Sequence, residues 1–217
     1  MRWALKTTVF GLTVCLLATA CGGEQQPEQE RVTAEEQCDA TLTPEAARAL
    51  ETVLETEKFS HDPRGGLERV TNALVQDYRK PLSQTPYRFL CRATPPVGSG
   101  TDTVNIRFGF YGHDDLLGDV RPRGLHPYAM GVEAHSGPKK AYLFLTCVTP
   151  RLEGSDKRPA RIRGTLTFNR SKLPDTVPIR EANLTILHSV TLAMVRKLGC
   201  ENDAGLDAKP VFKPRPE

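Results

Sequence analysis

Six cysteines punctuate this chain, at positions 15, 21, 38, 91, 147 and 200, and what they do depends on where the chain folds. Disulfides persist in oxidising compartments and are rare in the cytosol. The N-terminus decides the matter. Arg2 and Lys6 supply a positive start, and no acidic residue appears before Glu24. Thr7 to Leu17 is an apolar run of the length a secretory signal uses. It is too short and too weakly apolar to span a bilayer, which takes about 20 predominantly apolar residues. Residues 1–20 are therefore expected to be a removable export signal that takes Cys15 with it.

Ala18-Thr19-Ala20-Cys21-Gly22 places small residues before a cysteine and resembles the lipobox of bacterial lipoproteins. Ala18 stands where that motif usually has Leu, with Leu17 one place early. The resemblance implies that the Cys21 sulfur takes a diacylglyceryl group and that cleavage leaves Cys21 as the first mature residue. The protein would then sit on the extracytoplasmic face of the cell membrane. Paired acyl chains hold a protein there, whereas one chain, at about 0.8 kcal/mol per buried CH₂, anchors only marginally.

Cys38, Cys91, Cys147 and Cys200 remain, and four cysteines in an exported domain point to two disulfides. No pair has the close C-x-x-C spacing of a zinc knuckle. Three pairings are possible. Cys38–Cys91 with Cys147–Cys200 is expected, because the entry to the first helix can fold back on the first strand and the closing helix can end beside a central strand.

Arg2 and Lys6 leave with the signal, so 29 basic residues fall to 27 against 26 acidic ones. Near neutrality excludes a nucleic-acid-binding balance. Residues 22–37 hold five Glu and one Arg and almost no large apolar side chain, so they cannot bury enough surface to fold alone. With Cys21 they read as a tether, 21–37, ahead of a single domain at 38–200. Residues 201–217 end in a Pro-rich stretch and read as a loose tail.

Within the domain, Thr43-Pro44-Glu45 supplies a capping hydroxyl, a proline for the first helical turn and an acid for its dipole. Ala46, Ala47, Leu50, Val53 and Leu54 follow at helical spacing, and Val70, Leu74 and Tyr78 mark a second helix ending before Pro81. Alternation then takes over: Tyr87–Ala93, Val104–Phe110, Tyr128–Ala134, and Arg161–Phe168, with Ala141–Val148 apolar on both faces as a central strand would be. Arg180–Leu198 is a long helix, apolar over more than half its circumference, with Gly199 placed for a left-handed cap. The expected fold is α+β: an antiparallel sheet of about five strands flanked by two N-terminal helices and one long C-terminal helix.

Residues 41–61 (TLTPEAARALETVLETEKFSH), 141–155 (AYLFLTCVTPRLEGS) and 181–200 (EANLTILHSVTLAMVRKLGC) resemble a family of small, uncharacterised lipoproteins of Streptomyces and related actinobacteria. The likeness runs over most of 38–200. It implies fold and source, and it brings no activity.

Two constellations carry candidate chemistry. His113-Asp114-Asp115, Asp119, His126, Glu133 and His135 fall within one stretch, and a small extracytoplasmic hydrolase could assemble its site there. A solvated polar loop explains most of them equally, and without HExxH or another ordered ligand motif no metal ligand set is assigned. His188 lies among apolar neighbours on the last helix and reads as a packing residue. Gly98-Ser99-Gly100 lacks the nucleophile-elbow spacing and reads as a hairpin turn, and no P-loop or G-x-G-x-x-G occurs, so neither catalytic residues nor a cofactor are assigned.

The second constellation is basic. Arg151, Lys157, Arg158, Arg161, Arg163, Arg170 and Lys172 face only Glu153 and Asp156 in their stretch. Arg161 and Arg163 alternate with Ile162 and so share a strand face. Arg151, Lys157, Arg158, Arg161 and Arg163 are the candidate anion-binding residues, against the plainer reading of a solvated sheet face. The expected function is a membrane-anchored, non-catalytic binding or accessory module of the cell envelope. Its expected partners are the membrane, through the lipid anchor, and an anionic envelope component or surface protein.

Overall fold

The computed structural model describes residues 31–96, 102–118, 122–169 and 173–213. The signal, Cys21, residues 22–30 of the expected tether, Gly98-Ser99-Gly100, Asp119, Arg170, Lys172 and residues 214–217 lie outside the described residues.

The fold is α+β, with helices and antiparallel sheets. Among the described residues, one sheet has six strands in the order β3-β4-β8-β7-β6-β5: β3 Arg88–Ala93, β4 Val104–Phe110, β5 His126–Tyr128, β6 Glu133–Ser136, β7 Lys140–Cys147 and β8 Ala160–Phe168. All its pairings are antiparallel. The third apolar run, expected as one strand, is two. Gly131 adopts φ +59, and a Cβ there would lie 2.5 Å from the Phe144 carbonyl oxygen, so only glycine folds the chain back between β5 and β6.

A second, two-stranded sheet joins β1 (Arg31–Val32) to β2 (Phe59–Ser60). The domain therefore reaches into the segment expected to be tether. Ala34 is fully buried, and the buried Gln37 donates through Nε2 to the Ser60 carbonyl. The C-terminal stretch expected to be loose also docks through residue 213. Leu206 is buried, the Ala129 N–H donates to the Lys213 carbonyl at 2.8 Å, and Phe212 meets Tyr128 edge-on with ring centroids 6.2 Å apart.

The helices are a short turn α1 (Gln37–Ala40), then α2 (Pro44–Leu54), α3 (Leu67–Asp77) and α4 (Val177–Leu198). Thr43 caps α2 as expected, its hydroxyl accepting the Ala46 N–H. Helix α4 is buried without interruption from Asn183 to Leu192, between the sheet on one side and α2 on the other. Gly164 sets its distance. A Cβ there would come within 3.0–3.2 Å of Phe108, Thr191 and Leu187, so the missing side chain lets α4 settle onto β8 and β4.

Helix α4 ends in a Schellman motif: Gly199 is left-handed, its N–H donates to the Arg196 carbonyl, and the Cys200 N–H reaches back to that of Val195. The turn brings Cys200 to Cys147 on β7, and the two form a disulfide with Cα atoms 5.2 Å apart. Cys38, in the left-handed α1 turn, is bonded to Cys91 on β3 at 5.0 Å. The pairing is the one expected from the sequence.

One buried charge is paired. Asp77, at the end of α3, is fully buried and takes Arg88 Nε and Nη2 at 2.5 and 2.7 Å, with Lys80 Nζ at 2.8 Å. The Arg88 guanidinium, and after it Lys80, hold the Asp77 carboxyl below the usual carboxylate range.

Two predictions follow from these bonds. Replacing Cys147 and Cys200 together by Ala opens a loop of 53 positions, and the chain-entropy model puts the loss at about 4 kcal/mol in denaturant titration. Asp77→Asn should cost about 2–3 kcal/mol at neutral pH, the worth of charged hydrogen bonds. Because the folded carboxyl titrates below its unfolded value, this stabilisation is present above about pH 4 and is lost as pH falls through the folded value. The gap between wild type and variant should therefore close in acid. A gap constant from pH 7 to pH 3 would show that the ion pair is not its source.

Candidate functional site

With α4 and its partners on one side, the other face of the sheet has no helix on it among the described residues. Strand alternation decides what it carries. Ile162, Gly164 and Leu166 of β8 point toward α4, while Arg161, Arg163, Thr165 and Thr167 point away. Register extends the open face sideways: Arg107 pairs with Thr165, Asn105 with Thr167, Gly109 with Arg163, Tyr142 with Thr165, and Arg92 with Asn105.

One end of this face is roofed. The Glu133 carboxylate accepts the N–H groups of Leu117 and Gly118 and lies 2.7 Å from His135 Nε2, which pins the 112–118 loop over the buried Tyr111 and Phe144. The Tyr111 and Phe144 rings meet edge-on at 5.1 Å, and burial pushes the Tyr111 hydroxyl above its ordinary value.

The other end is a groove of about 330 Å³ lined by Tyr87, Arg92, Asn105, Arg107, Tyr142, Arg163, Thr165 and Thr167. None of these is acidic. Arg163 is its centre, with a side chain only 18% exposed. Its guanidinium lies 4.7 Å from the Tyr87 ring centroid, 5.6 Å from Phe144 and 5.8 Å from Tyr142. Such contacts contribute about 0.5–2 kcal/mol each. They do not satisfy its hydrogen bonds. Arg163 Nε is buried with no partner among the described residues, and Nη1 stays 3.8 Å from Asp115 Oδ1. The other Asp115 oxygen accepts the Gly112 N–H. Burial pushes the guanidinium below its ordinary value, but a guanidinium starts so high that it stays cationic at neutral pH.

Thr165 Oγ1, two residues along the same strand face, is also buried and unpartnered among the described residues. Arg107 is exposed, with no ion pair among the described residues. Arg92 is part-buried and gives its Nε to Asn105 Oδ1 at 2.7 Å.

The five expected anion-binding residues separate. Arg163 lines this groove. Arg158 and Arg161 line a neighbouring one of about 350 Å³, beside Lys80 and Tyr78. Arg151 is turned away, donating to the Lys197 carbonyl at 2.8 Å and to Asn72 Oδ1 at 3.0 Å, which ties the β7–β8 loop to α4 and α3. Lys157 is exposed on that loop. Arg92 and Arg107 belong to no run of charge in the sequence, and only strand pairing places them beside Arg163. The alternation Val104–Phe110 already put Arg107 on a polar face, and that was the one signal available.

The histidines do not assemble. His126 pairs with Ser136, whose hydroxyl donates to the Arg180 carbonyl of α4, so His126 lies on the helix side, 3.4 Å from Asp175. His135, one position away, is on the opposite face, and His113 is exposed in a short turn. No group of three His, Cys, Asp or Glu residues suited to a metal occurs among the described residues. His188 is buried on α4, and desolvation holds its imidazole below the ordinary value. No protein-family model, curated protein or solved structure matches this chain.

Gly109 makes room for this arrangement. A Cβ there would lie 2.8 Å from Tyr87 Cδ1, in the space the ring occupies over the sheet. Gly109→Ala should therefore swing the half-exposed Tyr87 off Arg163, at a stability cost of about 0.5–1 kcal/mol for the lost stacking. The measurement is the Tyr87 ring chemical shifts, and unchanged shifts would mean that the ring does not lie there.

Proposed function

We propose that this chain is a lipid-anchored extracytoplasmic module of the cell envelope that binds an anionic component without catalysis. The observation that carries the binding half is the groove on the open sheet face, where Arg92, Arg107 and Arg163 meet without an acidic residue in the lining. A cationic concavity with low-dielectric walls focuses field lines even at modest net charge. The anchoring half is supported by the lipobox-like Ala18–Gly22 and by the likeness to actinobacterial lipoproteins. The two disulfides suit an oxidising compartment. None of the described helices is long and apolar enough to cross a membrane, so attachment in this reading falls to the acyl chains on Cys21.

Each half has its own experiment. Cys21→Ser should move the mature protein from the membrane fraction to the soluble exported fraction. A wild-type protein that is already soluble and carries no acyl mass on Cys21 would end the lipoprotein reading. For binding, the purified full chain should attach to envelope fractions at low salt and detach as salt rises. Screening shortens the electrostatic range from about 10 Å at 0.1 M to about 3 Å at 1 M. Absence of attachment at low salt would end the binding reading.

A further inference from the structure

Resting on that binding reading, we infer that the groove is a specific site for a phosphate monoester carried on a sugar-sized group. Arg163, Arg107 and Arg92 hold the phosphate, and Tyr87 and Tyr142 flank the organic body. The first ground is unmet hydrogen bonding. Buried polar groups are almost always paired, and each exception calls for an explanation. Arg163 Nε and Thr165 Oγ1 are two such exceptions, on one strand face, in one groove. Bound oxygen atoms would satisfy both.

The second ground is orientation. The Arg163 guanidinium carbon lies over the Tyr87 and Tyr142 rings at 4.7 and 5.8 Å, and ring faces attract the charge without taking up its N–H donors, which stay free for hydrogen bonds. Planar forks of this kind match phosphate oxygens in pairs. Arg107 stands diagonally across from Arg163, since Gly109 rather than Arg107 is its direct partner. Arg92 stands one strand further along the same diagonal, its Nη groups without a hydrogen bond among the described residues.

The third ground is charge and size. Three guanidiniums stand against one nearby acid, Asp115 at 3.8 Å from Arg163, and the excess of two positive charges exceeds what a single carboxylate neutralises, whereas a phosphate monoester brings close to two negative charges at neutral pH. A groove of about 330 Å³ holds more than an inorganic ion. Asn105, Thr165 and Thr167 supply amide and hydroxyl groups of the kind that pair with sugar hydroxyls.

The test is calorimetric titration of the full chain, in detergent at low salt, with five probes. They are a hexose phosphate, the same hexose without phosphate, acetate, inorganic phosphate, and glycerophosphoglycerol as a diester with the chemistry of a lipid headgroup. The hexose phosphate should bind at least tenfold tighter than each of the others. Arg107→Gln alters an exposed side chain without an ion pair among the described residues and should keep the fold while weakening that binding at least tenfold. Arg163→Lys keeps the charge, loses the fork and should weaken it similarly. Equal binding of acetate would overturn the phosphate assignment, and equal binding of the diester would overturn the monoester in favour of a headgroup. Equal binding of inorganic phosphate, or of the unphosphorylated hexose, would overturn the combined site. Unchanged affinity in a stably folded Arg107→Gln would also overturn it. If the hexose phosphate fails while envelope fractions still bind in a salt-dependent way, this site falls and the broader binding reading stands.

Discussion

Helix α4 lies against the sheet where Gly164 has no side chain, and the rest of the molecule is arranged around that contact. The helix carries apolar residues over more than half its circumference, so one neighbour is not enough to bury it. The sheet takes one side, α2 takes another, and the end of the helix is bonded through Cys200 to the central strand β7. A buried methylene is worth about 0.8 kcal/mol, so the buried Leu184, Ile186, Leu187, Val190 and Leu192 make this helix a major apolar commitment of the fold. Placing it fixes which face of the sheet is core. Everything else about the open face follows by alternation.

That one-sidedness is what creates a site. A sheet with helices on both faces buries both sets of side chains and reads as nearly continuous apolar strands. Here β8 alternates from Ala160 to Phe168, one face closed and one face open. The open face is then divided. At one end Glu133 gathers two backbone N–H groups and His135 into a buried polar cluster that holds a loop down. At the other end no loop among the described residues is drawn across, and the arginines and tyrosines of four strands line a groove.

Much of this was legible in advance and some was not, for identifiable reasons. Thr43-Pro44-Glu45 and Gly199 announce helix ends through local chemistry, and both ends lie where that chemistry puts them. The disulfide pairing follows from which elements must meet, and it agrees with the structure. The hairpin at Gly131 was missed because Tyr128, Met130, Val132 and Ala134 keep period two across the turn, so alternation alone cannot see the chain reverse. Residues 31–37 and 201–213 read as unstructured because their apolar content is sparse, yet Ala34, Leu206 and Phe212 each find a place on a core built by others. The site suffered most. Arg161 and Arg163 were visible as neighbours in sequence, but Arg92 and Arg107 join Arg163 only through the register of β3 on β4 and β4 on β8.

The state of Arg163 is the sharpest energetic fact about that face. Three aromatic rings stand within 6 Å of its guanidinium, and together they offset part of its desolvation. Ring faces attract the charge but accept no conventional hydrogen bond from the buried Nε, and leaving such a donor unmet costs about 1–3 kcal/mol. A chain under selection for stability alone meets that cost by a small change, since a carboxylate facing Arg163 across the strands would complete the pair. The position directly opposite is instead Gly109, and the space it leaves is filled by Tyr87. Asp115, the acid within reach, is held at 3.8 Å while its other oxygen caps a turn. Gly109, Tyr87 and the unmet donors of Arg163 and Thr165 are explained together if the missing acceptor belongs to a ligand.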